Sequence, residues 1–301
     1  SVSLKTIVEY VVENNKTLNI TNSKIDGKTN IRNNKNSSLV VSDTEFVSTS
    51  QAIYNLSVFV ATSCNFKMNN GTYAIYNSPS TNTTSKLISS TIESTNQSSY
   101  SVYNYSYTLE VTDTNSNSGM TNGTGTNAKL IFSDGELGYV INNSNEMSLS
   151  NATINFSEKS SSNSKIINNS SKGILKIKDS KINLISLTSS YNVYGIFNEG
   201  NVDVDKMNIT LNNDRGTKFG IYQSSGTSNL NDINIETSGY NTNYGIYTKS
   251  GDVTLKNGNI NVYNSKTAYG MYIENGNVTI GEAEDKTSET YGTKDANVSI
   301  T

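Results

Sequence analysis

A short apolar cluster, most often Ile-Tyr-Asn with Tyr-Gly or Tyr-Ala ahead of it, returns eleven times along this chain. Its anchors are Val12, Ile31, Ile53, Ile75, Val102, Val140, Ile166, Ile196, Ile221, Ile246 and Met271, at intervals of 19 to 38 residues that settle to 25 over the last three. A unit this short cannot bury its apolar face alone and has to stack on its neighbours, so the period predicts a solenoid.

Each repeat carries two further apolar patches, as in Val253-Thr-Leu255 and then Ile260-Asn-Val262. Alternation at period two marks short strands with one face buried, so each turn holds three strands, A (the anchor), B and C. The last inward residue of B and the first of C stand five apart in eight turns: Ile20/Ile25, Val41/Phe46, Leu87/Ile92, Leu149/Ile154, Ile177/Ile182, Val204/Ile209, Leu230/Ile235 and Leu255/Ile260. One constant corner beside two variable ones lets equivalent strands stack while loops elsewhere differ in length. The pattern predicts an all-β fold, a single-stranded parallel β-helix of about eleven turns, some 50 Å long at ~4.8 Å per rung. Left-handed helices need uniform coils of six-residue units, which these turns are not, so the right-handed form is expected. Residues 1–301 form one β-helix domain.

Roughly half the residues are Asn, Ser, Thr or Gly, a composition that would favour disorder were the apolar positions not so regular. Of 23 basic residues only Arg32 and Arg215 are arginine; there is no His or Trp, and Pro79 and Cys64 are single. One cysteine permits neither an internal disulfide nor a cysteine metal cage, and Cys64 reads as a packed small residue. No cofactor and no metal is expected. A net charge of −3 with 16% charged residues gives no basic face for nucleic acid, and no apolar run is long enough for membrane insertion. A long, weakly charged polar rod fits display outside a cell. Without a signal peptide or wall-sorting tail, and ending just after the strand-like run Val298-Ser-Ile300, the chain reads as a piece of a longer surface protein.

Tyr194-Gly-Ile-Phe-Asn198, Phe219-Gly-Ile-Tyr222 and Tyr244-Gly-Ile-Tyr247, each followed by Gly and a Val/Leu-Asn-Ile run, resemble the repeats of right-handed β-helix surface proteins and adhesins of low-GC Gram-positive bacteria. The Lys excess and the abundance of Asn and Tyr are similar to proteins of AT-rich genomes. The resemblance implies extracellular display on a bacterial surface and adhesion to a host glycan or extracellular protein; it specifies no site residue. The coil also resembles the pectate-lyase-like superfamily, which includes polysaccharide lyases, glycoside hydrolases and phage tailspikes.

Absence of histidine excludes a Ser-His-Asp triad, a Cys-His pair and a histidine-dependent polygalacturonase site. A glycosidase would need two carboxylates about 5 to 9.5 Å apart. Asp203 and Asp205 share a face of strand B, but the next turn offers Asn229 and Asn231, and the pair reads as a solvated outer face. Arg215, beside Asp214 in Asn212-Asn-Asp-Arg-Gly216, reads as a turn with a local ion pair rather than the cation of a calcium-assisted lyase. A non-enzymatic protein is expected.

The amide after the anchor recurs as Asn14, Asn33, Asn55, Asn77, Asn104, Asn142, Asn168 and Asn198, with Gln223 next, and predicts an inward hydrogen-bonded ladder. Between anchor and amide, alternation sets one outward residue per turn: Tyr54, Tyr76, Tyr103, Ile141, Ile167, Phe197, Tyr222, Tyr247 and Tyr272. The aromatic members, Tyr54, Tyr76, Tyr103, Phe197, Tyr222, Tyr247 and Tyr272, are the candidate ligand-binding residues. Gly195, Gly220, Gly245 and Gly270 before them are expected to leave the surface open, and flat rings with polar neighbours suit sugars or a protein partner. The competing reading has the rings stack on one another and stabilise the face. A second file, Tyr73, Tyr100, Tyr194, Phe219, Tyr244 and Tyr269, shares parity with the anchors and is expected to pack at a corner.

Loops over 112–128 and 281–296 are expected to leave the rod at the B-to-C corner, where recognition elements often sit. The acidic run Glu282, Glu284 and Asp285 lacks the spacing of a rigid calcium loop. Asn-x-Ser/Thr triplets such as Asn15-Lys-Thr17 follow from composition and receive no function. The expected function is therefore that of an adhesin, with a structural stalk or a carbohydrate-active β-helix as alternatives.

Overall fold

The computed structural model describes residues 3–5, 9–95, 100–113, 128–135, 139–158, 163–187, 190–281 and 297–301. Its strands pair in parallel with their equivalents in the turns before and after, joining into one winding sheet, a parallel β-solenoid with no helix among the described residues. Most of the expected loops at 112–128 and 281–296 lie outside the described residues; Thr112 ends one strand and Ala128 begins the next.

Register follows the repeat. In column A, Val12, Ile31, Ile53, Ile75 and Val102 stand one above another, followed by Ile141, Ile167, Ile196, Ile221, Ile246 and Met271. Two of the expected anchors are therefore corrected, Val140 to Ile141 and Ile166 to Ile167. The cause is a bend in strand A, which turns two successive residues inward. In Tyr73–Asn77 both Ala74 and Ile75 are buried between half-buried Tyr73 and Tyr76, and Lys218–Gln223 does the same with Gly220 and Ile221. Strict alternation fails at this bend, so Val140-Ile141 and Ile166-Ile167 fill both inward positions. Ile141 and Ile167 are wholly buried and do not belong to the outward file; Asn142 and Asn168 take that place.

The first inward position of the bend is occupied in turn by Ala52, Ala74, Ser101, Val140 and Ile166, then by glycine. A methyl group on Gly220 would lie 2.4 Å from Ile235 Cγ2 and 2.6 Å from the Gly245 carbonyl oxygen. These glycines thus point into the packed interior, correcting the expectation that they open the outer surface beside the rings.

All eight five-residue B-to-C pairs face the interior, with only Ile20, at the first turn, less than buried. At seven of these corners, and at the further one between Ala61 and Phe66, the second residue takes a left-handed backbone: Asn22, Asp43, Ser63, Ser89, Asn151, Asp179, Lys206 and Asp232. Short polar side chains reach that conformation with least strain, which explains the Asn, Asp and Ser found there. Strands Ile174–Leu187, Asn201–Asn212 and Thr227–Ser238 run through the corner without a break. Cys64 packs beside it, buried, with its thiol pushed up to about 11 by desolvation, which makes it a poor nucleophile. Burial of each Ile, Leu or Phe in the column contributes about 1.5–3 kcal/mol.

The amide ladder is real, with two members moved by the same register correction. Asn14 donates to Asn33 at 2.7 Å, and the chain continues through Asn55, Asn77, Asn104, Asn143, Asn169 and Asn198 to Gln223. Asn143 and Asn169 replace the expected Asn142 and Asn168. Every side-chain donation points toward the C-terminal end, and second amide bonds reach backbone carbonyls, as from Asn104 to Glu146 at 2.8 Å.

Candidate functional site

The outer face of column A carries two aromatic files because the bend puts two outward residues three apart on the same side. Tyr194, Phe219, Tyr244 and Tyr269 form one file with ring centroids 4.7, 4.8 and 5.1 Å apart. Phe197, Tyr222, Tyr247 and Tyr272 form the other at 5.1, 4.9 and 5.0 Å. Within a turn the files meet edge to face, Phe219 with Tyr222 at 5.3 Å and 86°. The second file is thus half-buried on the outer face, correcting the expected corner position; Phe219 alone in it is buried. Inward parity was inferred from alternation, which the bend breaks.

A shorter aromatic group covers the earlier turns. Tyr54 stacks on Tyr76 at 4.8 Å, while Tyr103 meets Tyr76 edge-on at 5.6 Å, and Tyr73, Tyr100 and Tyr105 pack around them. Arg32 extends the file below, its guanidinium 5.2 Å from the Tyr10 ring and 5.9 Å from that of Tyr54. Between the two aromatic groups stand Asn142 and Asn168, the latter donating to the former at 2.7 Å. Lys165 lies there with its ammonium 3.4 Å from the Phe197 ring centroid and hydrogen-bonded to Asn168 at 3.2 Å. Burial lowers the Lys165 pKa, partly offset by Glu199.

The structure therefore brings all seven candidate residues into two lateral groups, but as half-buried stacks rather than open platforms. Except where Tyr103 meets Tyr76 edge-on, successive rings are one rung apart and stacked, so their faces are turned to one another and their edges to solvent. Tyr272, at the end of its file, is the most exposed at 37%. Desolvation raises the pKa of Tyr76, Tyr103 and Tyr222 and so disfavours their ionisation. Tyr247 is raised chiefly by its hydrogen bond to Glu274 at 2.6 Å, with burial adding to it.

A second feature lies on the outer face of strand B. Asp203 and Asp205 pair in register with Asn229 and Asn231 as expected, and accept hydrogen bonds from them at 2.7 and 3.1 Å. On the other side they register with Lys176 and Lys178. Together these side chains line a groove of about 570 Å³ that the sequence reading of the carboxylates alone did not anticipate. Its signal was present in the outward i, i+2 positions of four successive B strands.

The loop containing Asp214 and Arg215 has a structural task. Lys218, fully buried, donates to the carbonyls of Arg215 at 2.7 Å and Gly216 at 3.1 Å and to that of Asn213. In the next turn Asn243 does the same for Gly239 at 2.8 Å and Asn241 at 3.2 Å. Among the described residues no cluster of three or more His, Cys, Asp or Glu is placed to hold a metal ion. No protein-family model, curated protein or solved structure matches this chain.

Proposed function

We propose that the protein is a non-enzymatic β-helix rod displayed outside a bacterial cell, which acts as an adhesin by engaging a glycan or host protein laterally along the aromatic rail. The observation that carries this reading is the unbroken double file from Tyr194 to Tyr272 on one outer face, ring against ring over four turns. Aromatic edges beside phenol hydroxyls are the surface that protein and glycan partners contact with least loss of side-chain freedom. The resemblance of its repeats to Gram-positive surface proteins supports the location.

A second reading, a stalk that spaces other domains, is favoured by a different observation: the rings already satisfy one another. The two differ in binding. A glycan and extracellular-matrix array, scored for capture and for product release, is expected to give capture without turnover. Replacing Tyr222, Tyr247 and Tyr272 together with Ser is expected to abolish it. Silence of the array supports the stalk, and release of unsaturated products or new reducing ends overturns the non-enzymatic reading.

A further inference from the structure

The groove on strand B differs from the rail in kind. Four successive rungs present outward pairs of one chemistry each: the hydroxyls Ser148 and Ser150, the ammonium groups Lys176 and Lys178, the carboxylates Asp203 and Asp205, and the amides Asn229 and Asn231. Oppositely charged neighbours in direct register normally close on each other, as Lys86 does on Glu110 at 2.8 Å elsewhere on this face. Here Lys176 turns away to Glu146, at 3.1 Å, and among the described residues Lys178 makes no ion pair. Each carboxylate accepts its amide bond through Oδ1, and both carboxylates line the groove. Donors and acceptors therefore face solvent one rung apart, about 4.8 Å, on a rigid sheet.

This arrangement selects its ligand by chemistry. An anionic ligand meets the Asp203 and Asp205 pair, and a cationic one meets Lys176, Lys178 and Lys256, which also lines the groove. A neutral polyhydroxyl chain satisfies both, since each hydroxyl accepts from an ammonium or amide and donates to a carboxylate. Both strand positions repeat along the rod, so the ligand runs parallel to the axis, and the four rungs span about 14 Å, the length of a short oligosaccharide. We propose that this groove is a binding site for an uncharged glycan chain, separate from the aromatic rail and independent of whether the rail binds anything.

The test is titration calorimetry of the intact 301-residue chain with neutral tetrasaccharides built from glucose, mannose, galactose or N-acetylglucosamine, and with a uronic-acid tetrasaccharide as the charged comparison. One neutral series is expected to bind, with affinity falling at least tenfold in Asp203→Ala/Asp205→Ala and in Lys178→Ala. The Tyr222/Tyr247/Tyr272→Ser variant is expected to bind it as the parent does. All altered groove side chains are outward, and unchanged thermal unfolding checks that the fold persists; Asp203→Asn/Asp205→Asn keeps shape while removing charge and is expected to lose most of the affinity. Failure of every neutral tetrasaccharide to bind, preference for the uronic-acid chain, or loss of binding only in the tyrosine variant overturns the proposal. Loss of partner capture in the tyrosine variant bears instead on the rail, so the two readings fail separately.

Discussion

Asn169 donates its side-chain amide to Asn198 at 2.8 Å across one turn of the solenoid, both side chains wholly inside. A second bond from Asn169 reaches the Asn201 carbonyl at 3.1 Å, so the residue ties columns A and B together. Removing it takes a donor from the Asn198 side chain and the Asn201 carbonyl and an acceptor from the Asn143 amide, at a cost of up to about 1–3 kcal/mol for each group left unsatisfied. Asn169→Leu is expected to destabilise by about 2–4 kcal/mol in urea unfolding. Asn168→Ala, one residue earlier and outside the interior, is expected to change stability by less than about 1 kcal/mol. The reverse order would return the ladder to the register that spacing alone suggested.

Much of the fold was legible because its periods are those of buried strands. Five-residue spacing from Val204 to Ile209 and from Leu230 to Ile235 marked the B-to-C corner correctly. What was not legible is the bend of strand A. Where a single apolar residue precedes Tyr-Asn, as in Ala-Ile-Tyr-Asn or Gly-Ile-Tyr, bulk distinguishes the anchor from its small neighbour. In Val140-Ile141-Asn142-Asn143 and Ile166-Ile167-Asn168-Asn169 both apolar residues are large and both amides are identical, so nothing local chooses between registers. The same bend hid the second aromatic file, since residues three apart share a face only where alternation is broken. The groove escaped because its pattern runs across turns, visible only once Lys178, Asp205 and Asn231 are known to stack.

Gly220 faces the interior with Ile235 and the Gly245 carbonyl too close to admit a methyl group. Gly220→Ala is expected to destabilise by about 1–3 kcal/mol through overpacking, although alanine is otherwise the better strand residue. Ala74, at the equivalent position of an earlier turn, is buried, so the penalty belongs to the close approach of Ile235 and the Gly245 carbonyl rather than to the position itself. Chemical denaturation of the alanine variant checks this; a stability gain would show that the glycines are surface-facing after all.

Burial pushes Lys218 down to about 8, with Asp214 opposing the shift. The unfolded chain, with an ordinary lysine near 10.4, then holds the proton more tightly than the folded one. Stability therefore rises with pH from about 8 toward 10.4 on account of this residue, because the unfolded state binds the extra proton across that window. The parent chain is expected to gain stability relative to Lys218→Met as the pH is raised from 8 to 9.5, below the range in which tyrosines ionise. Parallel melting curves of the two proteins across that window give the difference; a flat difference overturns the assignment.

Tyr247 donates its phenol to Glu274 at 2.6 Å, and ionising it would set two negative charges side by side. Its titration is therefore raised chiefly by that carboxylate, whereas the rise at Tyr222 comes first from burial between Phe197, Phe219 and Tyr247. Glu274→Gln is expected to bring Tyr247 back toward ordinary phenols in an ultraviolet difference titration, with a smaller fall at Tyr222, which burial raises first and Glu274 only last. Packing divides them in the other direction: Tyr222→Ala removes several ring contacts of about 0.5–1.5 kcal/mol each, so it is expected to destabilise by about 2–4 kcal/mol. Tyr272→Ala, with three ring contacts but at the exposed end of the file, is expected to lose less, about 1–2 kcal/mol. Equal losses at the two positions would mean that the rings do not support one another along the rod, and the stalk reading would lose the observation that favours it.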